Sequence, residues 1–74
     1  MSNLTLKVLQ PVGTEYTPRI VAALNERFQE IKRRNPRGFL DSFESRLGLL
    51  CTEVAQELGG TFDEEENTLV FRFV

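Results

Sequence analysis

Leu4, Leu6 and Val8 alternate with Thr5 and Lys7, a period of two that predicts a half-buried strand over residues 4–10. Pro11 and Gly13 close it. Thr17 and Pro18 then read as a helix start, the threonine hydroxyl capping free amides and the proline occupying the first turn. Ile20, Leu24, Phe28 and Ile31 recur at spacings of four, four and three, one apolar stripe that Val21 widens, with Arg19, Glu26, Arg27, Glu30 and Arg34 on the remaining surface. Asn35, Pro36, Arg37 and Gly38 break this helix and predict a short turn. Asp41 with Glu44 forms a capping-box pattern that opens a second helix. Phe43, Leu47, Leu50, Val54 and Leu58 follow at four, three, four and four, the strongest periodicity in the chain, with Cys51 and Ala55 alongside. Gly59 and Gly60 end the helix near Leu58, where a left-handed residue is needed. Gly48 inside the helix costs about 1 kcal/mol relative to alanine, and together with off-stripe Leu49 it predicts close approach by another backbone.

Thr61 and Phe62 start a short strand, residues 63–67 form an acidic turn, and residues 68–74 form the final strand of a β-hairpin. Leu69, Phe71 and Phe73 share one face of that strand; Val70, Arg72 and Val74 share the other. The order β-α-α-β-β implies an α+β fold in which two amphipathic helices pack on one face of a small, mainly antiparallel three-stranded sheet. The face turned away from the helices should then be polar. Val70 and Val74 on that face, with Arg72 between them and Leu49 on the second helix, are therefore the candidate protein interface, reached through the exposed face or edge of the last strand.

At 74 residues the chain has room for one core, so residues 1–74 are read as a single domain. Such a core is marginal after conformational entropy, which makes a partner subunit, and a homodimer in particular, the expectation. The single cysteine, Cys51, falls on the apolar face of the second helix, where a thiol behaves as a small hydrophobe, and there is no histidine. Disulfides and histidine-based metal sites are thereby excluded as staples. No basic leader followed by an apolar run opens the sequence, and no apolar stretch approaches the roughly 20 residues of a membrane span, so a cytoplasmic protein is expected. The formal charge is −2, but residues 1–40 carry seven basic and three acidic side chains and residues 41–74 carry two and eight. The two halves are oppositely charged.

Lys32, Arg33, Arg34 and Arg37, with Arg27 one turn before them, are the candidate phosphate contacts of a nucleic-acid site. The competing role is stabilisation of the first helix's C-terminus, where cations suit the macrodipole. A basic turn between two helices is similar to the KH family of RNA-binding domains, in which a G-x-x-G loop grips the nucleic-acid backbone. The corresponding residues are Asn35, Pro36, Arg37 and Gly38. Only Gly38 matches; Phe39, Leu40 and Asp41 replace a lysine-rich stretch, and no third helix has room, so membership does not follow. Residues 46–58 are also similar to the ATP-site helix of anti-sigma-factor kinases, with Glu53 at the glutamate position, but Glu57 stands where asparagine is expected and no glycine-rich nucleotide motif follows.

Asp63, Glu64, Glu65 and Glu66 lack the alternation and glycine bend of a calcium loop and read as a solvated hairpin tip. No histidine base, activated nucleophile or phosphate loop is present, so neither catalysis nor a cofactor or metal is expected. The sequence thus points first to a small regulatory or adaptor protein that binds protein as a homodimer, and second to nucleic-acid binding through residues 27 and 32–37.

Overall fold

The computed structural model describes residues 4–74 and contains, in chain order, β1 (Thr5–Leu9), α1 (Thr17–Arg34), α2 (Phe39–Glu57), β2 (Thr61–Glu65) and β3 (Thr68–Arg72). The class is α+β in the expected order. The sheet order is β1-β3-β2, with β3 parallel to β1 and antiparallel to β2, so the sheet is mixed rather than mainly antiparallel. Chain direction explains the mixture: α1 leads away from the end where β1 stops and α2 returns to it, so β2 runs against β1 and β3 runs along it. β3 takes the centre and is the most buried strand. Leu69, Val70 and Phe71 are buried, as is Phe73 just beyond, while threonine- and lysine-bearing β1 and acidic β2 occupy the edges. Charge on an edge strand discourages pairing with a second sheet. A bond from Phe73 N–H to the Leu9 carbonyl and one from Thr5 N–H to the Asn67 carbonyl, each 2.8 Å, extend the contact at both ends of the parallel pair.

Three local signals act differently from their predicted roles. Thr17 is the first residue of α1 rather than its cap; the Tyr16 carbonyl accepts the Ile20 N–H at 3.0 Å, and no side chain caps the helix. The Asp41–Glu44 box does not form, because α2 begins two residues earlier, at Phe39. The Asn35 side chain closes the preceding turn by accepting the Gly38 N–H at 3.1 Å, which leaves Asp41 in the first helical turn, where its charge suits the macrodipole. Finally, residues 63–65 belong to β2, and the turn shrinks to Glu66 and Asn67, the latter at φ 55°. The C-terminus of α2 behaves as read. Gly59 takes φ +85°, its N–H donates to the Gln56 carbonyl, and Gly60 N–H donates to the Ala55 carbonyl at 2.7 Å, a Schellman arrangement.

The core gathers Ile20 from α1, Cys51, Val54 and Ala55 from α2, and Leu69, Phe71 and Phe73 from the last strand and its extension, with Leu6, Val8, Leu24, Leu47, Leu58 and Phe62 packed around them. Tyr16 stacks on Phe73 with centroids 3.9 Å apart, and this contact fixes the start of α1 over one end of the sheet. Gly60 lies at that same end, so close to Arg72 and Phe73 that any Cβ there would lie 2.4 Å from the Arg72 carbonyl oxygen. Gly48, by contrast, has only the Glu64 carboxylate near it, at 3.5 Å from an added Cβ. Among the described residues, the expected close backbone approach at Gly48 is absent.

Those two glycines calibrate the fold's proportions. Helices of 18 and 19 residues are about 27 and 28 Å long, whereas five-residue strands span about 17 Å. α2 descends from Gly60 at one end of the sheet to Gly48 near the other, and there the sheet runs out. Both helices pack on one face of the sheet, but only with their inner halves; residues 39–46 and the C-terminal part of α1 project beyond it. The elongated shape, 41 × 23 × 16 Å, follows from this overhang.

Candidate functional site

Across the helix-free face the register sets three rows: Thr5, Thr68 and Glu65; Lys7, Val70 and Asp63; Leu9, Arg72 and Thr61. That face is therefore mostly polar. Val70 lies at its centre, shielded by the flanking strands, with 1% of its surface exposed. The predicted valine surface is corrected on this point, because a side chain enclosed by its own sheet cannot meet a partner. The edge of the last strand is likewise unavailable, since β3 is paired on both sides. Arg72 and Val74 are exposed at one end of the sheet, whereas Leu49, 63% exposed, lies on α2 beside a depression shared with Leu4, Leu47 and Glu64 at the other end. The four predicted interface residues do not form one surface.

The basic cluster is dispersed for a simple geometric reason: successive residues of an α-helix point about 100° apart. Arg27 is half-buried, with its guanidinium 2.5 Å from the Glu57 carboxylate and bonded to the Ala23 carbonyl, so it ties α1 to the end of α2. Arg34 pairs with Glu30 at 2.9 Å. Both line a groove of about 710 Å³ between the helices, where Glu26, Glu53 and Arg46 add charge of both signs over a floor that includes Ile31 and Leu50. Lys32 turns elsewhere, its Nζ 5.4 Å from the centroid of the Phe39 ring. Arg33 and Arg37 are exposed and form no ion pair among the described residues. The five predicted phosphate contacts thus face several directions.

What the overhang brings together is aromatic. Phe28 meets Phe39 and Phe43 edge-on, with centroids 5.3 and 5.1 Å apart, and none of the three belongs to the core cluster. All three are half-buried. Leu40, Phe43 and Leu47, at i, i+3 and i+7, continue outward the stripe that Val54 and Leu58 press into the core. Leu40 is 55% exposed, and no strand among the described residues reaches it. Lys32 lies over Phe39 and Arg37 is in the turn at the hairpin's tip; Glu44 is exposed within the stretch itself, and Glu64 and Glu66 lie where the sheet ends. Both stripes predict core along their whole length, but the helices are longer than the strands and their outer ends lie beyond the sheet.

The acidic residues do not converge either. Asp63 and Glu65 face the helix-free side of β2 and Glu64 the helix side, as alternation in a strand requires. Among the described residues, no group of three or more cysteine, aspartate and glutamate side chains is placed to hold a metal ion. Cys51 is fully buried; burial first, and the charge of Glu64 second, push its thiol up to about 11. No helix among the described residues is long and apolar enough to cross a membrane. Comparison of the chain with protein-family models, curated proteins and solved structures returns no match in any of the three, so the site's own geometry carries the functional reading.

Proposed function

We propose that this chain is a small regulatory or adaptor protein of the cytoplasm that performs no chemistry itself and acts by binding protein through the overhanging end of its helical hairpin. The observation that supports this most is the surface formed by Leu40 and Phe43 with Phe28 and Phe39, apolar and aromatic yet outside the core that begins at Leu47. An aromatic centre with a charged rim is the usual composition of a binding hot spot. The rim also specifies the partner: with Lys32 and Arg37 beside the aromatics, it should present apolar side chains flanked by acidic ones. Nucleic-acid binding is the second reading, through Arg33 and Arg37, and the divergence of the basic side chains counts against it.

The test is retention of partners from an extract of the native host, with and without nuclease, by the full chain and by Leu40→Asp and Arg33→Glu/Arg37→Glu variants. Leu40 is exposed, so aspartate there leaves the fold intact, which circular dichroism checks. Protein partners that survive nuclease and are lost with Leu40→Asp support the reading. Retention that disappears with nuclease, or responds to the arginines and not to Leu40, transfers the function to nucleic acid.

A further inference from the structure

Resting on that reading of the overhang, we infer that the partner covering it is a second copy of this chain, docked antiparallel across a two-fold axis. Three kinds of surface follow one another along the projecting hairpin. Its tip is basic, with Lys32 and Arg37; its middle is apolar, with Leu40, Phe43 and Phe28 beside exposed Glu44; its root, where Leu47 joins the core and the sheet ends, is acidic, with Glu64 and Glu66. Within one chain the tip and root cannot meet, because the rigid helix between Leu40 and Leu47 holds them about 10 Å apart or more, a full Debye length in ordinary buffer. Accordingly, Asp63, Glu64, Glu65 and Glu66 form no ion pair among the described residues, nor do Lys32, Arg33 and Arg37.

A two-fold axis through the middle of the overhang removes this mismatch. It lays apolar middle on apolar middle and places the basic tip of each copy over the acidic root of the other. The surface is self-complementary, as an isologous dimer interface must be. The two hairpins together then make a four-helix arrangement that encloses Phe28, Phe39 and Phe43. A small core, which buries a modest share of its chain's surface, gains the apolar area it lacks. The polar helix-free face and the acidic edge of β2 offer no comparable fit to their own copies.

Sedimentation of the full chain reads this directly. The wild type should be a dimer by about 100 µM, where a Kd of about 10 µM leaves most of the protein assembled. Leu40→Asp should sediment as a monomer. Lys32→Glu/Arg37→Glu makes both tip and root negative, and Glu64→Lys/Glu66→Lys makes both positive, so each should dissociate at least about tenfold more readily than wild type. Mixing the two variants in equal amounts should restore the dimer, since both contacts of the mixed pair then join opposite charges.

A wild type that stays monomeric at about 100 µM overturns the inference, as does a mixture that fails to reassociate while each variant remains folded. Neither result touches the protein-binding reading, which the Leu40→Asp retention experiment decides separately. If Leu40→Asp abolishes capture of a different protein while the wild type is monomeric, the surface is a docking site and its occupant is not a second copy.

Discussion

Replacing Gly48 by alanine should stabilise the protein, although the position is in the middle of its most regular helix and at the end of the sheet. A helical glycine costs about 0.8–1 kcal/mol relative to alanine, through the backbone freedom it loses on folding and the surface it leaves open. That cost is tolerated when a neighbour needs the missing Cβ. Among the described residues an added Cβ would meet only the Glu64 Oε2 atom, at 3.5 Å, an ordinary van der Waals contact with the free end of a flexible side chain. The helical term therefore acts unopposed, for a gain of about 0.5–1 kcal/mol once native-state adjustment is allowed for. At about 2.1 cal/mol/K per residue, a chain of 74 residues has an unfolding entropy near 0.16 kcal/mol/K, so Tm should rise by about 3–6 °C. Thermal unfolding followed by far-UV circular dichroism at one fixed protein concentration measures it. An unchanged or lowered Tm would show that something packs against Gly48 more closely than Glu64 does, and the proportions deduced for the overhang would be wrong.

Gly60→Ala should have the opposite sign, because its Cβ would lie 2.4 Å from the Arg72 carbonyl oxygen and 2.5 Å from the Phe73 ring; urea unfolding should show a loss of about 1–3 kcal/mol. Cys51, buried with its thiol pushed up to about 11 from 9.0, should resist alkylation in the folded protein at pH 8 and react only as the chain opens. The same shift makes the folded state hold a proton that the unfolded chain gives up. Stability from this group is thus whole below pH 9 and should fall by about 3 kcal/mol as pH rises past 11, a decline that Cys51→Ala should lack. A double-mutant cycle on Arg27 and Glu57 should return a coupling of only about 0.5 kcal/mol, because the glutamate is 59% exposed and water screens the pair.

The helices were legible because a periodicity of three and four needs only local sequence to be read, and the stop at Gly59 because few other residues tolerate φ +85°. Strand order was not, since it is decided only when all three strands, far apart in sequence, lie side by side. Val70 illustrates the difference: along its own strand it alternates to the open face, yet Lys7 and Asp63, far apart in sequence, flank and shield it. The capping box at Asp41 failed for a similar reason. The Asn35 side chain, bonded to Gly38 N–H, starts the helix before the aspartate is reached. The basic run was visible in sequence, but its meaning changed on a helix, where adjacency along the chain separates side chains around the axis. The overhang could have been foreseen by arithmetic alone, from 18- and 19-residue helices beside five-residue strands.

Phe28 and Phe71 make the sharpest pair for testing that arithmetic. Phe71 is completely buried in the central strand, so Phe71→Ala should cost about 3–5 kcal/mol and leave little folded protein at low concentration. Phe28 is half-buried and touches Phe39 and Phe43 edge-on, beyond the reach of the sheet. In a monomer its removal deletes about half that apolar burial and two aromatic contacts, for about 2 kcal/mol. If two overhangs cover each other, the cost must grow with protein concentration, because association stabilises the folded wild type by mass action and the variant has lost the surface that associates. The Tm of the wild type should then climb as concentration rises from about 1 to 100 µM while that of Phe28→Ala stays level. Parallel lines for the two proteins would mean that Phe28 stabilises its own hairpin and nothing else.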